Sequence, residues 1–305
     1  MTRVAAVDCG TNSVRLLVAD LDGADKRDVH RDMRVVRLGQ GVDRTGVLAA
    51  PALQRLRGAL EEYAAVCERL GVERTRMVAT SATRDARNRD DFTALVQAAL
   101  GVAPEVVSGT EEAHLSFDGA TRGLPAEEGP YLVVDIGGGS TEFVLGGRSV
   151  EAALSVDLGC VRLTERCLRD DPPAPEQVAD ARAEIAHGLD RVLDVVPVER
   201  ARTAVGLAGS VTTVAGIALG LPAYDSAAIH LARIPATEVQ QVTADLLAMP
   251  RVQRAALPVM HPGRVDVIGA GALVLAELVN RFGLSEVLVS ESDILDGIAW
   301  SIPAA

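Results

Sequence analysis

Two short stretches hold most of the residues that could do chemistry. Residues 133–146 read VVDIGGGSTEFVLG, and residues 5–19 read AAVDCGTNSVRLLVA. Both contain Asp-x-Gly-x-x-Ser, as Asp8, Gly10 and Ser13 and as Asp135, Gly137 and Ser140. A tight turn with small residues at its tip leaves backbone N–H groups pointing outward, and such a concavity binds an anion such as a phosphate oxygen. Gly10, Thr11, Asn12 and Ser13 form one candidate phosphate-binding turn. Gly137, Gly138, Gly139, Ser140 and Thr141 form the other, with hydroxyl donors on Ser140 and Thr141. A third loop, GLAGSVTT at 206–213, runs from a strand into a helix start, where Gly209 and Ser210 would meet an anion at the positive end of the helix dipole. One glycine turn by itself merely reverses a chain. Two matched turns and a third loop suggest a phosphate chain gripped in a cleft between two domains.

The acidic residues beside these turns then need a role. A carboxylate next to phosphate repels it unless a cation lies between. Asp135 closes one apolar run and Glu142 opens the next, so both project near one turn. Mg²⁺, or Mn²⁺ in its place, takes one or two protein carboxylates and completes its shell with water and phosphate oxygens. Asp135 and Glu142 are therefore the candidate metal ligands. Asp8, at the equivalent place in the first stretch, is a further candidate for the metal or its water.

Around these residues, 3–9, 14–20 and 29–38 read as a three-strand meander with turn chemistry between the strands. Helical spacing follows at 51–71, with Pro51 in the first turn and Gly71 as cap. A strand is predicted at 76–81, a helix at 90–100, a short strand at 105–108 and a helix from Thr110 onward. The pattern then restarts. Residues 131–159 read as a second meander. Helices follow at 161–168 and 175–195, strand into turn at 203–210, helices at 236–248 and 265–282, a strand at 285–290 and a last helix at about 293–301. The simplest account is an internal duplication with the second copy starting near 130. The expected domains are 1–125 and 126–305, divided at the loop GLPAEEGP, with the last helix a candidate to pack back on the first domain.

Composition narrows the function. The net charge of -12 argues against general nucleic-acid binding, which needs a basic face. No apolar run approaches the roughly 20 residues that cross a bilayer, so no membrane partner is expected. The N-terminus enters a strand pattern at once and the four cysteines form no CxxC pair, so the chain is read as cytoplasmic with reduced thiols. Only one of 30 basic residues is a lysine, so phosphate contacts fall mostly to guanidinium groups.

Six stretches in order resemble the motifs of the exopolyphosphatase and guanosine pentaphosphate phosphohydrolase family: VDCGTNSVRLLV, ATSATRDARN, SGTEEAHLSF, VVDIGGGSTEFV, GLAGSVTT and RVDVIGAGALVL. The resemblance spans nearly the whole chain. It implies an α/β fold of two actin-like, ribonuclease-H-like domains, a phosphoanhydride substrate (polyphosphate or guanosine pentaphosphate) and a homodimer. It also implies that Glu112, the second glutamate of Ser-Gly-x-Glu-Glu-Ala, is the catalytic base, that Arg84 and Asn88 face phosphate, and that Asp266 is a further acidic position. The tail SESDILDG (290–297) departs from the Gly-Leu-Arg-Glu-Gly run of relatives, and the longer members' C-terminal helical domains are not present, which tilts the expectation towards short inorganic chains. An actin-fold kinase and a nucleotide-gated assembly protein are the alternatives from other classes.

Overall fold

The computed structural model describes residues 1–23 and 25–303. Two α/β units emerge from the chain's internal contacts. The first comprises Met1–Gly119 together with the segment beginning at Ile294, and the second comprises Ala120–Asp293. The division falls inside a helix, a few residues before the loop at 123–130.

In the first unit, β1 (Thr2–Cys9), β2 (Ser13–Asp22) and β3 (Asp25–Val35) form the expected antiparallel meander. The helix α1 (Val42–Thr45) leads to the long α2 (Ala50–Leu70), whose buried face is Ala52, Leu56, Ala59, Leu60, Tyr63 and Cys67. That spacing of three and four residues is the apolar stripe of a helix lying on a sheet. β4 (Arg74–Ala79), α3 (Ser81–Asp85), α4 (Arg89–Leu100), β5 (Glu105–Val106) and α5 (Gly109–Thr121) follow. β4 and β5 add parallel to β1, giving the order β3-β2-β1-β4-β5.

The second unit repeats this plan. β6 (Tyr131–Ile136), β7 (Thr141–Gly146) and β8 (Val150–Val156) form a meander, followed by α6 (Cys160–Arg166) and α7 (Pro175–Val195). Then come β9 (Thr203–Leu207), α8 (Ala208–Ala218), α9 (Ser226–Ile229), β10 (Arg233–Pro235), α10 (Ala236–Ala248), α11 (Arg251–Ala255), α12 (Ile268–Arg281) and β11 (Glu286–Val289). The sheet runs β10-β11-β9-β6-β7-β8, with β9 parallel to β6 and to β11. Read from β8, this is the first unit's order with one antiparallel edge strand added. The α/β class and the duplicated ribonuclease-H-like plan are therefore as expected. The added strand β10 was not anticipated, because three residues are too few to show a period of two.

The chain ends in α13 (Ile294–Ser301), which belongs to the first unit. Its Ile294, Leu295, Ile298 and Ala299 pack with Leu115 of α5 and with Val4, Ala6, Leu17 and Ala19 on one face of the sheet. The opposite face carries Val7, Leu16 and Val18 against α2 and α4. Side chains alternate along a strand, so one hairpin feeds both layers. None of the helices among the described residues is long and apolar enough to cross a membrane.

Candidate active site

In the second unit the hairpin register places Asp135 directly opposite Glu142, so both carboxylates share one face of the sheet. Both are buried, at 8% and 1% exposure. Glu142 in turn lies opposite Ser155 of β8. Its Oε1 accepts from Ser155 Oγ and from Ser140 Oγ, each at 2.7 Å, which fixes the carboxylate's orientation. Two buried carboxylates side by side repel, and a divalent cation relieves that repulsion. The donors are hard oxygens. Among the described residues no group of three or more His, Cys, Asp or Glu is arranged to hold a metal. Two carboxylates with the remaining shell left to water and phosphate fit Mg²⁺ or Mn²⁺ and do not fit a closed structural zinc site.

The glycine turn beside this pair has a defined polarity. Gly137 N–H closes the hairpin on Ser140 O at 3.0 Å. The Gly137 carbonyl accepts from Cys160 N (3.0 Å), and the Gly138 carbonyl accepts from Val161 N (2.9 Å) and Arg162 N (3.2 Å). Arg162 Nε donates to the Gly139 carbonyl at 2.8 Å. In a trans peptide the N–H points opposite to the C=O. With three successive carbonyls turned to α6, the amides of Gly138, Gly139 and Ser140 are turned away from it. Close packing enforces this, since a Cβ on Gly159 would lie 2.2 Å from Gly138 O and 2.3 Å from Gly139 N. The hydroxyl of Thr141, expected to face phosphate, is fully buried and donates to the Leu158 carbonyl. That of Ser140 serves Glu142. Both hydroxyls are thus engaged within the protein, which leaves the backbone of the turn as the part that could meet an anion.

The first unit's turn has the same frame. Gly10 N–H donates to Ser13 O at 2.9 Å, and the carbonyls of Thr11 and Asn12 accept from Gly39 N (2.8 Å), Val36 N (3.0 Å) and Arg37 N (2.8 Å). Residues 36–38, expected to extend the third strand, are drawn off to make these bonds. Thr11 Oγ1 and Ser81 Oγ are 2.9 Å apart, which ties the turn to the start of α3. Asp8 lies opposite Arg15, whose Nε and terminal nitrogen donate to Asp8 Oδ2 at 3.0 and 2.7 Å. Where the second unit sets a carboxylate against its aspartate, the first sets a guanidinium.

Arg84, near the end of α3, and Glu112, in the first turn of α5, are brought into direct contact. Arg84 donates through one nitrogen to Glu112 Oε2 at 3.0 Å and to the Val107 carbonyl at 2.9 Å. Ser108 Oγ accepts from Glu111 N at 3.2 Å, one half of a capping box, and starts the helix that carries Glu112. Glu112 is 7% exposed and lies at the positive end of α5. Asn88, by contrast, donates to the Leu48 carbonyl at 3.1 Å and accepts from Leu48 N at 2.8 Å. It clamps a loop instead of facing phosphate.

The third loop enters α8 through Ala208 at φ 67°. Gly209 is covered by Arg264, and a Cβ there would lie 2.3 Å from the guanidinium carbon. Arg264 also donates to Thr213 Oγ1 at 3.2 Å. Ser210 is buried against Gly271 of α12, beside Cys160 at the start of α6. Burial pushes the Cys160 thiol up, offset in part by Ser210 and by the charge of Arg264. Ser210, Arg264 and the 137–140 turn are therefore neighbours through Cys160. Arg264 was missed by the sequence reading because the glycine whose surface it occupies is 55 positions away in the chain. Asp266 is paired with Arg251 Nε at 2.5 Å.

A model of the Ppx/GppA phosphatase family matches residues 17–302. The chain belongs to this family. It is 53% identical to exopolyphosphatase 2 of Mycobacterium tuberculosis, over 99% of each chain. Among solved structures it is similar to an exopolyphosphatase-like protein, with a TM-score of 0.95, 40% identity and 98% of each chain covered. It is also similar to the Ppx/GppA protein of Aquifex aeolicus, with a TM-score of 0.82 and 29% identity over 98% of this chain and 97% of that one. Ppx/GppA membership makes the chain an enzyme of a phosphoanhydride hydrolase family.

Proposed function

We propose that this Ppx/GppA protein is an exopolyphosphatase that removes the terminal phosphate of inorganic polyphosphate. The observation that carries the reading is the buried Asp135–Glu142 pair beside a turn whose amides face away from α6, in a chain 53% identical to a named exopolyphosphatase. Asp135 and Glu142 would hold Mg²⁺ or Mn²⁺, with Ser140 and Ser155 fixing Glu142. When bound, the ion supplies positive charge to the terminal phosphoryl oxygens. The amides of Gly138 and Gly139 donate to those oxygens. Asp8 is left out of the metal shell, since Arg15 already neutralises it. Glu112 takes the proton from the attacking water, and Arg84 holds the Glu112 carboxylate in place until a phosphate oxygen competes for the guanidinium. Water adds to phosphorus, the anhydride bond breaks, and the products are orthophosphate and a chain one unit shorter. Catalysis of this kind is mostly positioning and electrostatics.

The deciding measurement is metal-dependent phosphate release from polyphosphate, from guanosine pentaphosphate and from ATP with acceptor sugars or acids. Glu112→Gln should lower release from polyphosphate by about 10²- to 10⁴-fold with folding intact. Near-normal turnover would remove Glu112 from the role of base. Faster release from guanosine pentaphosphate would reassign the substrate, and transfer from ATP to an acceptor would replace hydrolysis with a kinase. The family resemblance further carries a homodimer, which sedimentation of the purified protein tests.

A further inference from the structure

The segment SESDILDG ends on Asp296 and Gly297, which lie in α13 and tie that helix to two different neighbours. Asp296 is 1% exposed. Its carboxylate accepts from Arg31 at 2.9 and 3.0 Å and is 2.9 Å from Lys26 Nζ. Lys26 is the chain's single lysine, and Asp28 pairs with both bases. Lys26, Asp28 and Arg31 all lie on β3, so this cluster pins α13 to one strand.

The next residue faces a different element. A Cβ on Gly297 would lie 1.9 Å from the Leu115 carbonyl oxygen, 2.7 Å from its carbon and 3.1 Å from its Cα. The obstruction is helix backbone, which cannot rotate aside. Leu115 is three residues beyond Glu112 on α5, so the two lie on neighbouring turns of one helix. Whatever sets the position of Leu115 sets that of Glu112.

We propose that α13 is the positioning element for Glu112. Asp296 fixes α13 on the sheet through Lys26 and Arg31, and Gly297 fixes how closely α5 seats against α13. Asp296 and Gly297 are positioning residues that touch no substrate. The proposal rests on the reading of Glu112 as the base.

The test is Gly297→Ala, read by steady-state phosphate release and by hydrogen exchange along α5. A shift of about 1 Å in a reacting group costs about 10²-fold, so kcat for polyphosphate should fall by about 10- to 100-fold with KM unchanged. Amides around residues 112–116 should exchange faster than in the wild type. Asp296→Asn keeps the size but removes the charge, and should move both readings the same way by less. A merely structural role predicts a lower melting temperature with wild-type kcat per folded molecule. That result, or a loss confined to KM, overturns the proposal. If Gly297→Ala does not fold, Asp296→Asn decides by the same two readings. If the wild-type protein releases no phosphate, the functional reading has failed, and exchange in α5 still decides whether α13 holds that helix.

Discussion

The two hairpin turns are copies of one device with one charge reversed. Each has an aspartate two residues before its first glycine, each closes on a glycine N–H to serine carbonyl bond, and each has its carbonyls tied down by a later segment. In the first unit the cross-strand partner of the aspartate is Arg15, and in the second it is Glu142. Asp8 therefore carries its own counter-ion, whereas the Asp135–Glu142 pair gathers negative charge in a buried place. The comparison teaches that one backbone frame serves both turns and that a single cross-strand side chain sets the charge beside each; on the reading proposed above, that side chain decides which turn calls for a metal.

The clearest way to break this contrast is Glu142→Gln. Glutamine keeps an oxygen for Ser140 and Ser155 and loses only the charge. Phosphate release should fall by about 10³-fold, and calorimetric Mg²⁺ binding should vanish, while the melting temperature holds or rises. Unaltered metal binding would dissolve the distinction between the turns.

A second contrast concerns what presses on each turn. Gly159→Ala would drive a methyl into the backbone of Gly138 and Gly139, whereas its counterpart Gly39→Ala would meet the side-chain methyl of Thr11 at 2.3 Å, with Ala82 Cβ at 3.1 Å. A threonine side chain has other rotamers and a backbone has none. Gly159→Ala should cost about 10²-fold in turnover through misplaced amides. Gly39→Ala should cost clearly less in the same phosphate-release assay.

Arg15→Glu would rebuild the second unit's charge pattern in the first. Removing the partner of buried Asp8 should cost about 3 kcal/mol in denaturant unfolding without divalent ions. If charge placement alone decides cation affinity, millimolar Mg²⁺ should restore much of that stability. The smallest effect is expected of Thr141→Val, which loses the hydrogen bond to Leu158. It should lower stability by about 1 kcal/mol and leave KM for polyphosphate unchanged, because that hydroxyl faces the core. A raised KM would return Thr141 to the phosphate site.

Much of this was legible before the fold. The spacing Asp-x-Gly-x-x-Ser-x-Glu sets the length of a hairpin, and hairpin length sets register, so the meeting of Asp135 with Glu142 follows from their positions. The apolar period of 51–71 found α2 to within a residue at each end. The helix at 236–248 was found to the residue. What stayed hidden has a common character. Thr141 and Ser140 read as donors to phosphate because a hydroxyl's direction depends on which carbonyl or carboxylate its neighbours bring near. The resemblance sets Asn88 towards phosphate, and nothing local shows that Leu48 will lie beside it.

The sequence by itself determined the two turns, the cross-strand partners of their aspartates and the alternation of helix and strand, because these depend on residues within a hairpin or a helix of one another. Only the tertiary structure decided that Arg264 covers Gly209, that Arg84 meets Glu112, and that α13 returns to the first unit to seat Gly297 on the Leu115 carbonyl. Periodicity reports that a face will be buried, and the packing of distant segments chooses what buries it.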